Sequence, residues 1–152
     1  MAALSADSTA VSAHRGFTRR MMLTNGVATE TYYKGAIVSY LADGKITPVP
    51  ASGLSFAGIV AEASDGAIGT STKVDVWTHG EFKIAYTNAA QTDCGFGVYV
   101  DRSAASDNPA DLVPLAGTPE SAQDYLMGKA VELDGTSVWV DLATGHHPIL
   151  AA

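Results

Sequence analysis

Cysteine is almost missing from this chain. Cys94 stands alone among 152 residues, so no internal bridge forms, and with no second cysteine nearby neither a thiolate zinc site nor a redox pair can be built. Beside Gly95 it reads as a small half-buried residue. Charged side chains make up only 16% of the chain and aromatic ones 8%. No apolar run approaches the roughly 20 residues that a bilayer span requires, so a soluble protein with no membrane partner is expected. Lys and Arg number 9 against 16 Asp and Glu, for a net charge of −7. Nonspecific nucleic-acid binding depends on clustered basic residues that displace counterions from phosphates, and this balance argues against it. The first residues, MAALSADSTAVSAHRGFTRR, have neither a charged start nor a continuous apolar segment. They do not resemble a secretory signal, which points to synthesis and retention in the cytosol.

The motifs of familiar chemistry are missing too. No glycine-rich loop ends in Lys-Ser or Lys-Thr, and no dinucleotide fingerprint opens a strand–helix unit. No serine sits in a Gly-x-Ser-x-Gly elbow, and of the four histidines His14 and His146–His147 lie near the termini, leaving His79 in the body. Adjacent histidines point apart, whereas a zinc-binding pair sits three to five residues apart, so His146 and His147 read as solvent-facing. Glu62, Asp65, Asp75 and Glu132 fall beside turns or on alternating strand positions, where solvated surface is the ordinary explanation. The expectation is a protein that is not an enzyme, with no catalytic residue, metal ligand or cofactor.

What is present is a repeated β pattern. KGAIVSYLADGKITPVPA, FAGIVAEASDG and KVDVWTHG, starting at Lys34, are echoed by CGFGVYVDRSAASDNPADLVPLA, LMGKAVELDG and SVWVDLATG. Gly35 and Val38 match Gly95 and Val98, Gly58 and Glu62 match Gly128 and Glu132, and Val76 and Trp77 match Val138 and Trp139, at spacings of 60, 70 and 62 residues. An internal repeat takes precedence over local readings of fold. Strands are predicted over Thr31–Leu41, Ile46–Val49, Phe56–Ala63, Val74–Trp77, Glu81–Tyr86, Val98–Val100, Leu112–Leu115, Leu126–Leu133 and Thr136–Leu142. Asp43-Gly44 and Asp134-Gly135 between apolar runs predict hairpins, the type I′ turn needing positive φ at both central residues. Pro48 and Pro50 mark an edge or terminating strand, since proline cannot donate to a ladder. Asp101–Asp111 reads as a solvated loop, and Thr118-Pro119 as the start of a single helical turn.

The domain reading is an extended arm over 1–27, one β domain over 28–143 with repeats at about 34–80 and 94–142, and a tail over 144–152. Residues 1–20 lack periodicity and carry Arg15, Arg19 and Arg20 against Asp7, a local charge of +2 that leaves −9 for the rest. Alone, such a segment cannot bury enough surface to offset the ordering cost of about 1–2 kcal/mol per residue. Phe17, Met21, Met22 and Leu23 add apolar side chains with which it can gain contacts on another surface, a frayed terminus being the commoner case for such a sequence. Trp77 and Trp139 read either as a ligand platform or as packing, over a barrel end or at a subunit contact.

The ordered series of a Gly with a Val-rich strand (Gly35–Tyr40), an Asp-Gly turn, Pro48-Val49, Gly-Ile-Val-Ala-Glu (Gly58–Glu62), Val-x-Val and a Gly-centred turn, duplicated in variant form, resembles small tailed-phage head decoration proteins, also called capsid cement or capsid fibre proteins. The likeness covers roughly residues 28–143. It implies a mainly β fold with a small β-barrel or β-tulip-like body of two related β units, trimeric, that binds the outside of an assembled capsid and stabilises it, with the N-terminal arm reaching between subunits of the major capsid protein. It places the protein on the virion exterior after synthesis in the host cytoplasm. On this reading Arg15, Phe17, Arg19, Arg20 and Met21 form the capsid-binding arm, and Trp77 and Phe82 a contact in a homotrimer. The competing reading is a carbohydrate-binding or host-adhesion module on a virion surface, using one exposed Trp face. A small hydrolase or isomerase is a third, and would need a concave pocket with a perturbed titration.

Overall fold

The computed structural model describes residues 11–15, 20–27, 29–49, 52, 54–61, 72–85, 90–100, 112–114 and 125–142; for 11–15, 20–25, 72, 112–114 and 125 it is the backbone course that is described. In chain order the strands are β1 (Val11–Arg15), β2 (Arg20–Gly26), β3 (Ile37–Tyr40), β4 (Ile46–Thr47), β5 (Ser55–Val60), β6 (Thr72–Trp77), β7 (Glu81–Ala85), β8 (Gly97–Val100), β9 (Leu112–Pro114), β10 (Tyr125–Asp134) and β11 (Ser137–Leu142). One 3-10 turn, Gln91–Asp93, precedes β8. There is no α-helix among the described residues, and the protein is mainly β, as its short β-branched runs between Gly and Asp turns require.

Two sheets share the core. A six-stranded sheet runs β1-β7-β11-β10-β8-β9, and a curled sheet of β2-β4-β3-β5-β6 closes on itself as a small barrel. β3 and β5 serve both, the alternation along β5 being reset at the irregularity between Phe56 and Gly58. Val38, Ala57 and Val60 join Tyr32, Ala36, Ile46, Val74 and Val76 in one cluster. Ile37, Phe56 and Ile59 join Phe82, Ile84, Val98, Met127, Val138 and Val140 in the other. Successive strand residues point to opposite faces, so β3 and β5 line the barrel with one face and pack on the six-stranded sheet with the other.

Register shows one pattern at two places. On β3–β5, Ile37 faces Ile59 and Val38 faces Gly58; an irregularity follows, and then Ser39 faces Phe56 and Tyr40 faces Ser55. On β8–β10, Gly97 faces Lys129 and Val98 faces Gly128, and past an irregularity Tyr99 faces Leu126 and Val100 faces Tyr125. The flanking bonds agree: the Gly35 N–H donates to the Val60 carbonyl at 2.9 Å and the Gly95 N–H to the Ala130 carbonyl at 2.7 Å. Returning strands start alike, with Tyr40 opposite Ile46 and Val100 opposite Leu112. The last strand differs from the sequence match. Trp77 lies opposite Ile59 and Asp141 opposite Lys129, so the counterpart of Trp77 by register is Asp141, two residues beyond Trp139. A slip of two preserves which face every side chain takes, so hydrophobic alternation cannot detect it.

Both hairpin turns form where Asp-Gly predicts them, with different geometry. The Gly44 N–H donates to the Leu41 carbonyl at 3.0 Å and the Leu41 N–H to the Lys45 carbonyl at 2.8 Å, which makes Ala42 and Asp43 the central pair and Gly44, at φ +81°, the left-handed residue after them. In the second turn Asp134 is still paired with Ser137, so the loop is Gly135-Thr136. The strands run shorter than predicted around Ile37–Tyr40 and Ile46–Thr47.

Residues 11–15 and 20–26 also depart from the expected arm. β2 pairs antiparallel with β6, from Arg20 opposite Trp77 to Gly26 opposite Thr72, and parallel with β4 through Gly26 and Ile46. β1 pairs antiparallel with β7, from Val11 opposite Ile84 to Arg15 opposite Glu81. Adding a strand to a sheet edge uses main-chain groups and needs no side-chain alternation, which is why the composition of this stretch does not announce it.

Candidate functional site

The sequence places its candidate contacts on the N-terminal segment and on the turn from β6 to β7, and the structure brings these together. Arg15, on β1, is opposite Glu81; Arg20 and Met21, on β2, are opposite Trp77 and Val76. β1 and β2 thus run along the successive strands β7 and β6, one in each sheet. Phe17 and Arg19 lie outside the described residues, as do loop 101–111, Thr118-Pro119, Glu62, Asp65, His146 and His147.

The aromatic pair at this turn serves the core. Phe82 is 2% exposed within the single chain, its side chain filling the cluster beneath the six-stranded sheet, a burial that contributes about 1.5–3 kcal/mol. Trp77 is half-buried, packs against the same cluster and meets the Phe82 ring at 6.5 Å between centroids, tilted by 48°. Trp139 is 9% exposed. Of the two residues assigned to a subunit contact, Trp77 alone retains surface. Between β6 and β7, the buried Thr78 hydroxyl lies 2.8 Å from His79 Nδ1.

A second constellation, unmarked by any motif, sits where the barrel closes. Gly26 faces Ile46 in the one backbone pair between β2 and β4. Tyr32, fully buried, accepts from the Val27 N–H at 2.7 Å and donates to the Ile46 carbonyl at 2.7 Å. The Thr47 hydroxyl donates to Glu30 Oε1 at 3.1 Å and accepts from the Val49 N–H at 3.1 Å. Glu30 Oε2 is buried without a hydrogen-bond partner. Desolvation holds the Glu30 carboxyl above its ordinary range, against the lowering effect of the Thr47 and Tyr32 hydroxyls. Desolvation likewise pushes the Tyr32 phenol far above the usual tyrosine range. Gly26 is required here, because a Cβ at that position would stand 2.7 Å from the Tyr32 oxygen.

Among the described residues no group of three His, Cys, Asp or Glu is arranged to hold a metal ion, and no helix is long and apolar enough to cross a membrane. Cys94 is a free thiol, its sulfur accepting from Gln91 Nε2 at 3.6 Å. Comparison with known proteins finds no matching family model, no matching curated protein and no matching solved structure.

Proposed function

We propose that this protein is a structural virion component, a non-catalytic decoration or cement protein that binds the outside of an assembled phage capsid and stabilises it. The observation that carries the reading is the placement of β1. This strand lies at the margin of the six-stranded sheet with β7 as its one strand neighbour among the described residues, and the chain continues into β2, which is anchored on both β6 and β4. A terminal strand on an edge is the element of a sheet most readily exchanged for another surface. Arg15, Phe17, Arg19, Arg20 and Met21 provide guanidinium groups for bidentate carboxylate contacts and apolar side chains for the seat. The partner is the major capsid protein.

The recurrent registers of β3–β5 and β8–β10 support a body of two related units, and the resemblance over residues 28–143 supports the shell as its target and a homotrimer as its form. Linked copies bind as one object with a high effective concentration, so modest contacts suffice. The glycan-binding alternative draws less support, because Trp139 is buried and Trp77 packs on Phe82. The test is cosedimentation of the intact chain and of a variant lacking residues 1–19 with undecorated shells. Loss of attachment by a variant with a native circular dichroism spectrum supports the reading; unchanged affinity overturns the role of the arm, and failure of the intact chain to bind any shell overturns the function.

A further inference from the structure

The barrel is closed at its weakest main-chain joint. β3 and β5 share four backbone pairs, whereas β2 and β4 share one. Side chains supply the remainder: Tyr32 ties the Val27 N–H to the Ile46 carbonyl, and Glu30 ties to β4 through Thr47. The Val27 N–H also reaches the Ile46 carbonyl, at 3.4 Å. Within this joint Glu30 Oε2 is shut away from solvent and meets no donor. The Tyr32 proton goes to the Ile46 carbonyl and the Thr47 proton to Oε1, and what both hydroxyls do to favour the carboxylate is outweighed by its desolvation. A carboxylate with an unmet, desolvated oxygen is costly, and the cost falls sharply when the group is neutral.

We propose that Glu30 is a proton-operated latch on the β2–β4 seam, holding β4 against β2 when its carboxyl is neutral and loosening the joint when the carboxyl ionises. The inference is independent of the shell-binding reading. The groups facing Glu30 are the Tyr32 hydroxyl from its own segment and the Thr47 hydroxyl from β4, and β4, Ile46–Thr47, carries no ionisable side chain. Lys45, just before β4, is engaged with Asp43 at 3.3 Å on the exposed hairpin tip. Among the described residues no countercharge is therefore assigned to the seam, and desolvation is the largest influence on the carboxyl.

The sign follows. An acid whose pKa is raised on folding, as burial raises Glu30, binds its proton more tightly in the folded chain, so stability is gained as pH falls through the folded value towards the unfolded one and is absent above it. The experiment is urea denaturation of the full chain between pH 4.5 and 7.5, with hydrogen exchange of the Val27 amide followed at each pH. In the wild type the midpoint rises, and Val27 protection against the intrinsic exchange rate increases, as pH falls. Glu30→Gln, a neutral isostere, flattens both dependences and exceeds the wild-type midpoint at pH 7.5. Thr47→Val removes a bond that favours the carboxylate, so the stability transition moves to higher pH, a shift that a merely structural loss does not produce. If Glu30→Gln does not fold, the carbon resonance of the wild-type Glu30 carboxyl decides: a titration midpoint above the ordinary glutamate range, tracked by Val27 protection, supports the latch. A midpoint at or below that range, or parallel pH profiles for wild type and Glu30→Gln, overturns it.

Discussion

The Tyr32 hydroxyl donates to the Ile46 carbonyl at 2.7 Å, bridging the segment after β2 to the strand that closes the barrel. Tyr32→Phe keeps the ring and removes the bridge, stranding the Val27 N–H on its weaker 3.4 Å bond to Ile46. A buried group left unsatisfied costs about 1–3 kcal/mol, and a loss of that size is expected in urea denaturation. A midpoint within error of wild type would show that the hydroxyl contributes nothing to closure.

Glycines at two positions should respond very differently to alanine. At Gly58, φ is +153° and a Cβ would stand 2.5 Å from the Trp77 carbonyl oxygen. Overpacking against a neighbouring strand costs about 1–3 kcal/mol, added to the backbone strain. Gly44, at φ +81°, has open space where a Cβ would stand, so Gly44→Ala carries the left-handed penalty alone, about 1–2 kcal/mol. Thermal melts of both variants in parallel should rank Gly58→Ala well below Gly44→Ala; the reverse order is incompatible with this β5–β6 spacing.

Truncation separates strap from body. Removing residues 1–19 takes β1 and spares β2, and the remaining chain is expected to melt as one cooperative unit. Removing residues 1–27 takes the strand that pairs with both β6 and β4, opening the barrel. Loss of the cooperative transition in the longer deletion, and its retention in the shorter, is the expected outcome by calorimetry.

Lys83 Nζ lies 2.9 Å from Asp134 Oδ2, with the two side chains 28% and 48% exposed. Partly exposed ion pairs contribute roughly 0–1 kcal/mol and weaken with salt. Lys83→Met is therefore expected to shift the urea midpoint slightly at low salt and not at all in molar sodium chloride; a salt-independent loss would assign Lys83 a packing role instead.

Much of this architecture is legible in the residues. Gly35 and Gly95, Gly58 and Gly128, and the two Asp-Gly turns locate the strands and their partners, because a positive φ or a close approach leaves glycine as the one comfortable choice. Three features were not. The strand pairings of Val11–Arg15 and Arg20–Gly26 use main chain, which composition does not record. The displacement that sets Trp77 against Asp141 preserves alternation. Glu30, Tyr32 and Thr47 are united by a joint between segments distant in sequence, and no local spacing marks a carboxylate whose second oxygen is sealed from water.

The course of the N-terminal segment has a mechanical corollary. Antiparallel ladder bonds lie perpendicular to their strands, so a load drawn along β1 and β2 falls crosswise on the bonds to β7 and β6, and they bear it jointly. A load lifting the segment away from the sheets breaks them singly. A particle fastened by such a segment would resist sliding and swelling far better than it resists being peeled.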